Sequence, residues 1–219
     1  MLKIFLVLFA VQFCAGQQVP SIPTKPMGIS VGSSTPKLHI EGFFDLASPV
    51  SSQSFTALWQ VLQNFKISQN QDLRFTFYVW PQPVYSFSFL LTTGARYIAN
   101  NCKTDADVWN YFHLAFDNQK SFSNPATLNS TFNQVKLQLA TLISQNMTQY
   151  TLQNAQAGLS SSANADEADD YGAFGRFWGV VVGPTYFANG IIIDAGDELT
   201  ISSWTSFITP FINQTLINE

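Results

Sequence analysis

From Lys37 to Phe44 the chain reads KLHIEGFF, with Leu38, Ile40 and Phe44 set against Lys37, His39 and Glu41. A period of two predicts a strand over 37–44. The period then lengthens. Phe55, Leu58, Trp59, Leu62 and Phe65 recur at three and four positions, which predicts an amphipathic helix from Ser51 to Lys66. Leu73 to Trp80, LRFTFYVW, is dense in aromatic residues and closed by Pro81 and Pro83, the signature of a buried strand. Helical spacing returns three times: at Leu90, Leu91, Ala95 and Ile98; at Val108, Trp109, Phe112 and Phe116; and at Phe132, Val135, Leu139 and Leu142. Breaks near Asn100, Asn124 and Asn146 punctuate these stretches. Between Trp178 and Asp194, two short apolar runs flank Ala188-Asn189-Gly190. Asn-Gly predicts a tight hairpin, and Pro184 opens its first strand, where a missing N–H is tolerated. A last helix is expected over Ser202 to Asn213, with Trp204, Phe207, Ile208 and Phe211 on one face. Gln17 to Pro36 is rich in Pro, Ser and Gly without helical period and reads as an extended arm.

The order is strand, helix, strand, helices, Pro-led hairpin, helix. A helix between the first two strands requires a parallel crossover, and the hairpin then adds antiparallel strands. The expected class is α/β: a mixed sheet flanked by helices, formed by residues 37–85 and 171–219, with an inserted helical subdomain over 86–170.

The first residues combine Lys3, an apolar run from Ile4 to Val11 and small residues ending at Gly16. This pattern predicts a signal peptide over 1–16, since the run is short for a membrane span. The expected destination is the secretory pathway, either the extracellular space or the endoplasmic reticulum lumen. Cleavage after Gly16 would remove Cys14 and leave Cys102 alone. An intramolecular disulfide is then impossible, and Cys102 is either a buried inert thiol or a partner in an intermolecular bond. The chain is long enough to hold a core without cross-links, and its 20 Phe residues supply one.

Ten Lys and Arg against 14 Asp and Glu give a net charge of −4, with the cations scattered. Nucleic acid and anionic membrane surfaces call for a basic patch and are not expected partners. His39, His113 and Cys102 lack zinc spacing. The acidic run Ala165 to Asp170 lacks the alternating ligands of a calcium loop and reads as a solvated helix start. No Gly-x-Ser-x-Gly elbow is present, which disfavours a serine hydrolase. Sequons at Asn129, Asn146 and Asn213 are compatible with glycosylation.

The chemistry concentrates at Ser48-Pro49-Val50-Ser51, between the first strand and the first helix. Ser48 suits the cap of that helix and Pro49 its first position. Backbone donors and the positive end of the dipole converge there, a setting that stabilises a nucleophile or an anion. Three stretches together carry a resemblance: Phe43-Phe44-Asp45, Ser48-Pro49-x-Ser51, and Gly183-Pro184-Thr185 leading into Tyr186 to Gly190. The chain resembles the thioredoxin superfamily, in its DsbA-like branch with a helical insertion. The tail from Asp194 to Ile212 is similar to that of secretory-pathway eukaryotic members.

The resemblance implies a cis peptide at Pro184, facing the first active-site position across a shallow groove. It also implies that Ser48 and Ser51 occupy the places of Cys-x-x-Cys. Disulfide exchange needs an attacking thiolate and a second resolving thiol, and serine supplies neither. The expectation is therefore a redox-inactive, non-catalytic binding or chaperone-like protein without a cofactor. Its ligand would be an extended polypeptide beside Pro184, held at Ser48, Pro49, Gly183 and Pro184. Phe43, Phe44, Val182 and Tyr186 are candidate apolar walls, each read more readily as core. The alternative comes from a similarity of Asp45, Ser48, Pro49 and Ser51 to the Asp-x-x-Ser-Pro-x-Ser motif of kappa-class glutathione transferases, with Val50 in place of the usual aromatic residue. It implies a glutathione-dependent transferase or isomerase in which the Ser48 hydroxyl holds the glutathione sulfur.

Overall fold

Residues 27–193 and 200–212 are described by a computed structural model. The leader, its cleavage point, Gln17 to Pro26 and the sequon at Asn213 lie outside the described residues.

The first element is a correction to the extended arm. Ile29–Gly32 forms strand β1 and pairs antiparallel with β3, Leu73–Val79, placing Ile29 opposite Phe77 and Gly32 opposite Arg74. Gly32 ends the strand at φ +102, where a Cβ would come within 2.3 Å of the Leu73 carbonyl oxygen. Strand β2, Leu38–Phe44, pairs in parallel with β3 along its whole length. The crossover between them carries helix α1, Pro49–Asn64. The hairpin strands β4, Thr185–Ala188, and β5, Ile191–Ile193, complete a five-stranded mixed sheet in the order β1-β3-β2-β4-β5.

Asn189 and Gly190 both hold positive φ, +50 and +79, as a type I′ turn requires. The Asn189 side chain also fastens the hairpin to β2. Its Oδ1 accepts from the His39 N–H at 2.8 Å and its Nδ2 donates to the Lys37 carbonyl at 3.0 Å.

Helices follow β3 in series: α2, Ser88–Asn101; α3, Asp105–Asn118; a 3-10 turn, Gln119–Phe122; α4, Asn124–Thr127; α5, Phe132–Asn146; α6, Leu152–Leu159; and α7, Ser162–Phe177. The three periodic stretches became α2, α3 and α5. The acidic run lies inside α7 rather than at its start, because Ser161 caps the helix one residue before Ser162. One member of that run, Glu167, is spent on Arg96 of α2, whose Nη1 also donates to the Tyr171 hydroxyl at 2.9 Å. This buried guanidinium joins α2 to α7.

One face of the sheet presents Leu38, Ile40, Phe44, Phe75, Phe77 and Tyr186 to the main core, with α1 and α3 packed over it. Aromatic geometry locks this layer: Phe77 stacks on Phe112 at 4.1 Å, and Tyr186 meets Trp204 edge to face at 4.9 Å. The opposite face carries a smaller cluster of Phe43, Trp80, Val180 and Phe187 against Phe174 and Tyr78. Trp204 belongs to α8, Ile201–Ile208, which is shorter than the expected 202–213. Pro210 supplies no backbone N–H to continue the helix, and the chain closes instead in a 3-10 turn, Thr209–Phe211. No described helix is long and apolar enough to cross a membrane.

Candidate functional site

Parallel strands β2 and β3 end side by side at Phe44 and Val79. The crevice beyond the carboxyl ends of such strands is where open α/β sheets bind ligands. Three segments meet there: the β2–α1 junction, the loop after β3, and the loop before β4.

Asp45 organises the first two. Its Oδ1 accepts from the Ala47 N–H at 2.7 Å and from the Ser88 hydroxyl at 2.8 Å, and its Oδ2 accepts from the Gln82 N–H at 2.7 Å. The junction, the β3 loop and the start of α2 thus share one buried carboxylate. Burial raises the Asp45 pKa above the ordinary carboxylate value, and the hydrogen bonds oppose that shift without cancelling it.

Ser48 caps α1, its Oγ accepting from the Ser51 N–H at 3.3 Å, and Pro49 takes the first helical position. The Ser48 carbonyl accepts from Gln119 Nε2 at 3.3 Å, and the Ser51 Oγ accepts from the Asp45 N–H at 3.2 Å. Both serines are enclosed, at 1% and 0% exposure. Their hydroxyls hold the turn together. Pro49 and Val50 form its outer surface, with Val50 51% exposed.

The Gly183–Pro184 peptide is cis and lies against the junction. A Cβ at Gly183 would sit 3.3 Å from Gln82 Nε2, 3.4 Å from the Phe43 carbonyl oxygen and 3.5 Å from the Asp45 nitrogen. The structure therefore brings Ser48, Pro49, Ser51, Gly183 and Pro184 into one neighbourhood. Gly183 is buried, and Pro184 is half-exposed. Of the candidate walls, Phe43, Phe44 and Tyr186 are core, whereas Val182 is 59% exposed. Val181, next to it in the loop that leads to Pro184, is 85% exposed.

Other candidate groups lie apart. His39 Nε2 bonds Thr76 Oγ1 at 2.7 Å near the start of β2, and His113 packs against Phe55 and Trp59. Burial lowers the pKa of both imidazoles, with Glu41 opposing the shift at His39 and Asp117 at His113. Neither ring bonds a junction serine. Cys102 ends α2, half-buried, its Sγ directed at the Ala99 carbonyl. Asn129 and Asn146 are exposed.

Sequence reading missed Gln82 and Gln119. Gln82 stood in view between Pro81 and Pro83, directly after the second parallel strand, where the crevice rule already points. Gln119 gave no signal, because its partner is a backbone carbonyl 71 positions away.

These features define a thioredoxin-like fold with the helical insertion of DsbA-like proteins. It is shared with a candidate protein-disulfide isomerase from Pseudomonas syringae, at 17% identity and TM-score 0.66, covering 82% of this chain and 96% of that one. The alpha-DsbA1 of Wolbachia pipientis aligns at 11% identity and TM-score 0.66, covering 87% and 93%. A protein-disulfide isomerase from Novosphingobium aromaticivorans aligns at 14% identity and TM-score 0.60, covering 88% and 98%. No protein-family model matches the chain, and no curated protein matches its sequence.

Proposed function

We propose that this chain is a DsbA-like protein of the secretory pathway that binds extended polypeptide without catalysing disulfide exchange. The observation that carries the reading is the pairing of a serine cap with a cis-proline loop. Ser48 and Ser51 stand where exchange would need thiols, their hydroxyls are used to hold the turn, and the cis Gly183–Pro184 peptide lies beside Phe43 and Asp45 at the start of that turn. Serine cannot attack or release a disulfide. What the neighbourhood still offers is a half-exposed Pro184 and exposed apolar side chains at Val50 of the junction and at Val181 and Val182 just before Pro184. Those are the ingredients for holding an extended segment by partial strand addition.

The test is fluorescence anisotropy of a labelled extended apolar peptide titrated with the protein. Saturable binding is expected, weakened about tenfold or more by Val182→Asp and by Pro184→Ala. Insulin disulfide reduction should stay at background. Thermal unfolding with millimolar reduced glutathione separates the transferase reading. A ligand of the native state alone must raise the melting temperature, and a rise abolished by Ser48→Ala would replace the present proposal. Enclosure of Ser48 argues for no shift. Expression of the whole chain in eukaryotic cells should yield secreted or lumenal protein beginning at Gln17, read by N-terminal sequencing; protein retaining Met1 in the cytosol would remove the secretory part of the proposal.

A further inference from the structure

The carbonyls next to Pro184 already have donors from within the chain. Gln82 supplies the first. Its N–H is the only backbone donor in Pro81-Gln82-Pro83, and Asp45 Oδ2 accepts it at 2.7 Å. With its backbone fixed in this way, the 8% exposed side chain turns its Nε2 to the Gly183 carbonyl at 3.5 Å. Thr185 supplies the second, its hydroxyl donating to the Val182 carbonyl three residues back. Across the turn, the Ser48 carbonyl accepts from the Ser52 N–H at 3.0 Å and from Gln119 Nε2 at 3.3 Å.

Donors are what is left over. Among the described residues nothing accepts from the N–H of Val181 or Val182, or from that of Val50 in the first turn of α1. All three residues are exposed. Strand addition ordinarily uses donors and acceptors in alternation. Here the carbonyls of an incoming peptide meet N–H groups, whereas its own N–H groups meet carbonyls that are already bonded.

We infer that recognition at this site runs one way, the protein donating and the peptide accepting, with Gln82 and Thr185 as the positioning residues that set the polarity. This rests on the peptide-binding reading and names its ligand class. The site admits extended segments whose amide hydrogens are dispensable, proline-containing stretches included, since proline brings a carbonyl and an apolar ring without an N–H.

The probe is a fluorescein-labelled peptide of alternating Val and Ser, compared with forms N-methylated at every Val or at every Ser. Each form lacks the amide hydrogens along one edge of the extended peptide. By anisotropy, wild type should bind both forms within about threefold of the parent. Gln82→Met frees the Gly183 carbonyl and Thr185→Val the Val182 carbonyl. In at least one of these variants the parent should bind about fivefold or more tighter than one methylated form, the gain a new peptide hydrogen bond gives. A merely structural role would shift parent and methylated peptides together. A fivefold penalty for methylation in wild type, or none in either folded variant, would overturn the inference and leave peptide binding standing. Should Gln82→Met fail to fold, Thr185→Val decides alone. Absence of saturable binding of the parent by wild type is a different result, which removes the peptide-binding reading and this inference with it.

Discussion

A carboxylate taken out of water needs donors in place of solvent, and Asp45 receives three from segments far apart in the chain. Asparagine is not an equivalent there. Its carbonyl would keep the Ala47 and Ser88 donors, but its amide would face the Gln82 N–H, donor against donor. Asp45→Asn should therefore cost roughly 1–3 kcal/mol in urea unfolding at neutral pH. The pH dependence gives a second readout. Because the folded-state pKa of Asp45 is raised, the folded chain takes up this proton at higher pH than the unfolded chain. The associated stability is fully present below the unfolded carboxylate value of about 3.9 and is lost as pH rises through the folded value. Acidification from neutral pH thus favours wild type at this site, and the deficit of Asp45→Asn should widen. His39 and His113 act in the opposite sense. Their folded pKa values are lowered, so stability from the neutral rings is lost as pH falls below about 6.5. That contribution is common to both proteins and cancels in the difference. A deficit that narrows on acidification would show that the three donors outweigh burial.

Elements divide by how much of their stability is local. β2, β3, α1 and the Asn189-Gly190 hairpin were legible because each repeats its period over enough residues or carries a turn residue of fixed conformation. β1 was not, because the alternation of ISVG runs over only four residues, too short a window to count, and the strand is held by pairing with β3. α6 was missed because its eight residues give too short a periodic window, and α7 was read only as a helix start at Ala165 to Asp170 because its buried stripe uses small residues such as Ala168, Gly172 and Gly175. The site shows the same division: Ser48 and Pro49 declare a helix start in sequence, and Pro184 stands out before an apolar strand. Their enclosure was invisible, since it depends on Asp45, Gln82 and Gln119 arriving from other segments. Two substitutions probe local stability by chemical denaturation. Ser48→Ala removes the α1 cap and should cost about 1 kcal/mol. Asn189→Ala places a less tolerant residue at φ +50 and deletes two bonds to β2, for a cost of roughly 1–3 kcal/mol. Equal stability of either variant with wild type would mean that the bonds at that position contribute nothing net.

Across the whole molecule, the proposal of a chain without exchange activity raises the question of whether restoring two sulfur atoms at Ser48 and Ser51 would make it an exchange catalyst. Thiolate chemistry needs acidity and access together. The fold supplies the setting for acidity: the α1 terminus points its positive dipole end at the Ser48 position, where the Ser51 N–H already donates to the side chain. Access is withheld, because Ser48 is 1% exposed beneath Pro49 and Val50, and its carbonyl is tied to Gln119 in the helical segment. Ser48→Cys combined with Ser51→Cys should therefore install a thiol pair without installing turnover. Ellman titration of the folded double variant is expected to show slow reaction at these two positions, accelerating on addition of guanidinium, and insulin reduction should remain at background. Adding Gln119→Ala removes the tether on the Ser48 carbonyl and should raise the thiol reaction rate. Fast Ellman reaction and catalytic insulin reduction in the double variant would reverse the reasoning: the junction would be open to substrate disulfides, and the proposal that the chain does not exchange disulfides would rest on the serines alone.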